Sequence, residues 1–292
     1  MVDKKVQSNI DSNSMSSPFS KGRRNKWIII ILALVGFKAM GLDKSKLKIP
    51  FSAIEIINKK YFRQLHYYPL GEEGESKLSS AYLEKGLLRE KNKNILDITL
   101  MPIHNNMEVE FSSKNILLGE GYPNQGLDET NYLDVIKDFN NRATGIYRII
   151  PELFLESTIL NAEIFYDFPK TSFDFSSDEI INALSYSSLR HKEERTYGGE
   201  TFLSRSGGFS LKVYDKEKEC FDKYLGKKYQ ELNLNIQDTM RVEVRGKHDS
   251  KARGLAKKHF NNKKLKDLIG LDAQYSVILD YLNELKFPKE RL

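Results

Sequence analysis

Three stretches that alternate in strand fashion each carry a carboxylate among apolar neighbours. Glu163 lies in Asn161-Ala162-Glu163-Ile164-Phe165-Tyr166-Asp167, Asp215 in Val213-Tyr214-Asp215-Lys216, and Glu243 in Arg241-Val242-Glu243-Val244-Arg245. Burying a carboxylate costs several kcal/mol unless it is paired or bound to a metal. Three such groups in succession therefore point to one shared hard cation, Mg²⁺ or Mn²⁺, which prefers oxygen ligands. Asp167 falls on the face of Glu163, because a strand repeats every two residues. The bland alternative is that each strand has a wet face, with Glu243 paired to Arg241 or Arg245. Tyr214 gives the carboxylates a chemistry. A phenol, with an ordinary pKa of about 10, is a poor nucleophile near neutral pH. It needs a metal to polarise its target or a cation to stabilise its anion. Lys212 lies two residues before it, Lys216 two after and Lys218 four after.

The elements that must position these groups follow from periodicity. Ile95–Met101 and Met107–Phe111 alternate as strands around a turn at residues 102–106. Ile159–Phe168, Phe209–Asp215 and Met240–Arg245 make three more. Helical spacing predicts helices over 128–141, 178–189 (capped by Ser176 or Ser177), 216–232, 251–260 and 262–285. Strands separated by helices, with one hairpin, give an α+β fold. The expectation is an antiparallel sheet of about five strands with helices packed on one face.

The chain of 292 residues has a normal globular balance, 40% hydrophobic and 29% charged, which excludes general disorder. Its net charge of +6 suits a polyanionic partner, nucleic acid or anionic membrane. With Cys220 as the single cysteine, an internal disulfide and a Cys-rich zinc site are both excluded, and a reducing, cytoplasmic setting fits. Residues 1–26, rich in Ser, Asn and Lys, read as a mobile tail. Trp27–Phe37 is the most hydrophobic run. Its eleven residues fall short of the roughly 20 that a spanning helix needs, so it reads as a buried strand or core helix. A membrane anchor over 27–42 and a cleaved signal are the alternatives.

The block Phe209–Glu219, preceded by Thr201–Ser206, resembles one shared by the filamentous-phage replication initiators of the gene II type and the trans-acting initiators of rolling-circle plasmids. The later Arg-apolar-Glu-apolar-Arg strand of those families is similar to Arg241–Arg245. Their Arg-Ile-Asp-type strand is matched more loosely by Ala162-Glu163-Ile164, and Val109–Gly119 is similar to the stretch before the phage Gly-His-Asn. The blocks agree in order over residues 107–260. The chain departs from the pattern where Glu120-Gly121 stands in place of the phage His-Asn, where Ala162-Glu163-Ile164 stands in place of Arg-Ile-Asp, and in having no His-hydrophobic-His pair.

The resemblance implies a degenerate HUH-nuclease-like domain over 95–292, following an N-terminal segment at 27–94. It implies a replication initiator that nicks single-stranded DNA at an origin. Tyr214 would be the nucleophile, leaving a 5′-phosphotyrosine on the protein and a free 3′-OH, assisted by Lys216 or Lys218. Glu163, Asp215 and Glu243 become the metal ligands, with Glu110 or Glu120 as substitutes. Host helicase and polymerase are the implied partners. Lys212, Arg241, Arg245, Lys247, Lys251 and Arg253 are the candidate DNA contacts. Two rivals stand beside this reading: a DNA-binding protein without catalysis on the same scaffold, and a membrane-anchored phage factor held by Trp27–Leu42.

Overall fold

In Ala39–Pro50, Leu47 and Ile49 alternate with Lys44, Lys46 and Lys48, so the segment buries one face and keeps the other charged. This is strand β1. A computed structural model of the chain describes residues 37–70, 75–83, 96–113, 126–172, 176–187, 193–197, 200–206, 208–223, 236–249 and 253–285. Among these, β1 pairs on one side with β6 (Asn106–Ser112) and on the other with β8 (Thr158–Pro169).

From β6 the sheet continues to β5 (Leu96–Met101), β4 (Glu75–Leu83) and β3 (Phe62–Leu70). From β8 it continues to β12 (Thr239–Lys247), β11 (Phe209–Asp215), β10 (Thr201–Ser206) and β9 (Glu193–Tyr197). The order is β3-β4-β5-β6-β1-β8-β12-β11-β10-β9, and the pairings are antiparallel. Two short strands, β2 (Ile54–Ile57) and β7 (Tyr147–Ile149), pair separately.

The fold is thus α+β on an antiparallel sheet, but with ten strands among the described residues where periodicity marks about five. All five expected strands are in it. The largest addition is β1, masked in the sequence by the apolar run that precedes it. Because β1 lies mid-sheet, the sheet is not confined to residues 95–292.

The sheet has two different faces, as its period of two requires. On one, Ile164, Tyr166, Phe168, Met240, Val242, Val244, Leu211 and Val213 are buried in a single apolar core. Helices α1 (Tyr132–Arg142), α3 (Ser177–Ser185), α5 (Gly254–Phe260) and α6 (Leu271–Asn283) contribute Phe139, Ile181, Phe260 and Tyr281 to it, and the single-turn helix α2 (Pro151–Phe154) adds Phe154. At α3 the expected capping residue is Ser176, which accepts from the Glu179 N–H while the Glu179 carboxylate accepts from the Ser176 N–H.

The helix expected over 262–285 is divided. A 3₁₀ turn at Leu265–Asp267 precedes α6, and Gly270 is the extended residue that opens it. Helix α4 (Lys216–Lys223) begins where expected, and residues 224–232 of its expected span lie outside the described residues.

The apolar run at 27–36 and the tail at 1–26 also lie outside the described residues. Ala39–Leu42, the end of the suggested anchor, is sheet rather than helix. No described helix is long and apolar enough to cross a membrane.

Candidate active site

The face opposite the core carries Glu163 and Asp167 of β8, Arg241, Glu243 and Arg245 of β12, and Lys212 and Tyr214 of β11. Register aligns them: Tyr214 lies across from Arg241, and Arg241 from Asp167. Lys212 lies across from Glu243, and Arg245 from Glu163. Long side chains reach the diagonal neighbour across such pairs. Tyr214 does so: its hydroxyl donates to Glu243 Oε1 at 2.5 Å.

Glu243 and Glu163 share a carboxylate cluster with Asp43 of β1, an oxygen from each lying within 4.8 Å of the others. Asp43 reaches this position at an irregularity in β1, where the β8 register shifts between Leu42 and Lys44. A close backbone crossing precedes it. A Cβ added at Gly41 would sit 2.5 Å from the Gly126 Cα, so only glycines allow Gly126 and Leu127 to run beside β1 there. Asp43 is 2% exposed and accepts from the Ser112 hydroxyl at 3.3 Å.

Three clustered carboxylates repel one another. Burial, then Glu243 and Asp43, push the Glu163 carboxyl above its ordinary range, opposed by Lys44 and Arg245. A hard divalent cation fits this donor set of oxygens and would relieve the repulsion.

Beneath the cluster, Arg241 is fully buried and grips Asp167 with two parallel bonds, Nε to Oδ1 at 2.5 Å and Nη2 to Oδ2 at 2.6 Å. Its guanidinium lies 4.0 Å from the Phe165 ring centroid and its Nη1 3.9 Å from Glu243 Oε1. Burial pulls the guanidinium down, but Asp167 and its other anionic neighbours more than offset this and hold it well above its usual value. Burial pushes the Tyr214 phenol well above its usual value; Glu243 adds to the shift and Arg241 opposes it. Lys212 Nζ lies 3.6 Å from the Tyr214 ring centroid and Lys216 Nζ 5.5 Å, the latter also paired with Glu219 at 2.5 Å.

Of the residues singled out in the sequence, Tyr214, Lys212, Lys216, Glu163 and Glu243 come together. Others do not. Asp215 projects from the opposite face of β11, where it accepts from Lys170 Nζ at 3.1 and 3.3 Å and from the Lys218 N–H at 3.0 Å. It braces the start of α4 and is not a member of the carboxylate cluster. Lys218 pairs with Glu200 at 2.5 Å rather than with the phenol. Arg241 is no DNA contact, because it is wholly buried. Arg245 and Lys247 are exposed on the site face of β12, and Arg253 is exposed at the start of α5. Lys251 and Glu120 lie outside the described residues, and Glu110 is not in the cluster. Sequence reasoning missed Asp43. The period-two pattern of Lys44, Lys46 and Lys48 against Leu47 and Ile49 was the signal that β1 is a strand with a polar face.

No protein-family model matches the chain, and no curated protein does. Among solved structures, the chain is similar to the rolling circle replication initiator protein from Geobacillus stearothermophilus. The identity is 11% and the TM-score 0.32, with 82% of this chain and 96% of that one covered. So distant a likeness transfers no chemistry, and the roles of Tyr214 and the carboxylates rest on their own geometry.

The cluster makes a signed prediction for stability. A carboxyl whose pKa is raised on folding binds its proton more tightly in the folded state, so folding loses stability as pH rises through the interval above the unfolded value. Without metal, Glu163→Gln is therefore expected to raise the melting temperature at pH 7 and leave it unchanged near pH 3. With millimolar Mn²⁺ the order reverses: the native chain gains several degrees and Glu163→Gln and Asp43→Asn gain little. Differential scanning fluorimetry checks both arms, and equal Mn²⁺ shifts in all three proteins would remove the metal site.

Proposed function

We propose that the chain cleaves single-stranded DNA at an origin by tyrosine transesterification and so initiates rolling-circle replication. The observation that carries this reading is the Tyr214 hydroxyl donating to Glu243, a carboxylate that is itself part of the three-carboxylate cluster. The order of the sequence blocks around Tyr214 and Glu243 supports the biological setting.

The phenol is 2% exposed, and its burial makes a preformed phenolate costly. The proton therefore has to leave as the oxygen attacks. Glu243 Oε1 is placed to take it, and Lys212 over the ring favours the charge that develops on the phenol. The Tyr214 oxygen bonds to phosphorus, the bond from phosphorus to the 3′-oxygen breaks, and that oxygen leaves as a hydroxyl by taking a proton from water, while Glu243 returns the phenol proton to solvent. The phosphotyrosine conserves the bond energy, so ATP is not needed. A Mg²⁺ or Mn²⁺ ion held by Asp43, Glu163 and Glu243 would supply Lewis-acid stabilisation of the non-bridging oxygens. A helicase and a polymerase of the host would act on the freed 3′ end.

The burial of Tyr214 also favours a second reading, a DNA-binding protein on this scaffold that does not cut. One experiment separates the two. The purified chain is incubated with 3′-end-labelled single strands tiled across the surroundings of its own gene, with Mn²⁺ or EDTA, and run on a denaturing gel. A labelled band at protein size, absent in EDTA and in Tyr214→Phe, is expected. Cleavage that persists in Tyr214→Phe sinks the nucleophile, and binding without any adduct establishes the second reading.

A further inference from the structure

A single row of the sheet crosses the site face at right angles to the strands. Lys44 of β1 lies across from Glu163 of β8, Glu163 from Arg245 of β12, Arg245 from Ser210 of β11, and Ser210 from Arg205 of β10. Cations thus occupy alternate strands of this row, and Lys44, Arg245 and Arg205 are all exposed. With strands about 4.8 Å apart, successive cations are spaced by roughly 10 Å and the row spans roughly 19 Å. Glu163 of the carboxylate cluster lies between the first two, and both pull its carboxyl down against its burial.

The row has the charge to offset what a phosphate would meet at the carboxylates. A polyanion approaching Asp43, Glu163 and Glu243 is repelled by them, and cations on either side supply compensating attraction along one line. Among the described residues, the opposite face of β8, β12 and β11 buries apolar side chains under the helices.

From this we infer that a single DNA strand lies across the sheet along this row, transverse to the strands. Its phosphates engage Lys44, Arg245 and Arg205, and the phosphate between Lys44 and Arg245 rests at the carboxylate cluster. The inference builds on the proposed function by assigning the substrate's path. It adds Lys44 and Arg205 as binding residues and leaves out the exposed lysines of α5, which lie on the helix side because Phe260 of that helix packs against Gly246 on the core face.

The test reads binding apart from cleavage. Fluorescence anisotropy of a labelled 20-nucleotide oligo-dT is followed with the full-length chain in EDTA, across a series of NaCl concentrations. Lys44→Ala, Arg245→Ala and Arg205→Ala are compared with Lys257→Ala, which removes an exposed cation from α5. Each substitution in the row is expected to weaken binding several-fold. Each should also reduce the slope of log K against log salt by about 0.7, the loss of one counterion-releasing contact to a single strand. Lys257→Ala is expected to leave both unchanged. Slopes equal to the native chain in the row variants, or an equal loss in Lys257→Ala, would overturn the path. A strand that binds along the row yet never forms the Tyr214 adduct refutes the proposed function and leaves the path standing. An adduct formed by a chain whose row variants bind normally does the reverse.

Discussion

Glu243→Gln is expected to lower the rate of Tyr214 adduct formation by about 10²- to 10⁴-fold, the usual worth of a positioned general base. The side chain keeps its size and its oxygen toward the phenol, so folding is expected to survive. What it loses is the ability to accept the proton, together with one charged oxygen of the proposed metal site. Burial and the Glu243 charge together hold the phenol proton in place at neutral pH, so without an acceptor at 2.5 Å attack has to wait for a rare phenolate. The pH profile separates this role from loss of metal. In Glu243→Gln the residual single-turnover rate should climb with pH toward the range in which the phenol ionises, because hydroxide replaces the missing base. In Glu163→Gln the rate should fall without that climb, and higher Mn²⁺ should restore part of it. A Glu243→Gln chain that forms the adduct at the native rate would remove Glu243 from the chemistry.

Asp167→Ala is expected to cost about 3–5 kcal/mol of folding stability, the usual loss when one partner of a buried ion pair is removed. Arg241 has no exposed surface, and Asp167 provides its two parallel charge-assisted bonds. Removing Asp167 takes these two short bonds from a buried guanidinium that cannot shed its proton. The double substitution Asp167→Leu with Arg241→Met removes both charges and is expected to recover most of the loss, since an apolar pair of similar volume substitutes well for a buried ion pair. Urea unfolding followed by circular dichroism compares both variants with the native chain, and a loss below about 1 kcal/mol in Asp167→Ala would show that the buried pair contributes little to stability. Because Arg241 also faces Glu243 at 3.9 Å, the stable double variant offers a further readout. Its adduct formation should be impaired even though its fold is restored.

Much of the site was legible because strands are local objects. Alternation in Ile159–Phe168, Phe209–Asp215 and Met240–Arg245 placed Glu163, Tyr214 and Glu243 on strands. The observed bounds, Thr158–Pro169, Phe209–Asp215 and Thr239–Lys247, differ by at most two residues. The Ser176 cap and the start of α4 at Lys216 were equally visible, since each depends on residues within one turn of the chain.

The third carboxylate of the cluster was not legible. Asp215 follows Tyr214 directly, and a strand sends neighbours to opposite faces, so the closest carboxylate in sequence is the one that cannot join its cluster. The third member comes instead from Asp43, some 120 residues before Glu163, through a β1 that joins the sheet between β6 and β8. Sheet order is a non-local property, set by which faces bury together, and alternation within a strand does not encode its partners.

The same reason explains Arg241 and Arg245. In sequence they flank Glu243 alike, as candidates for DNA contact on one face of one strand. Arg241 lies across from Asp167 and is sealed in the bonds it makes there, while Arg245 lies across from Glu163 and remains exposed. The sequence by itself determined the residue types, the strands that carry them and the face of each strand on which they stand. Only the tertiary structure decided their partners, because the pairing of the strands fixes which charges are buried together and which are left exposed.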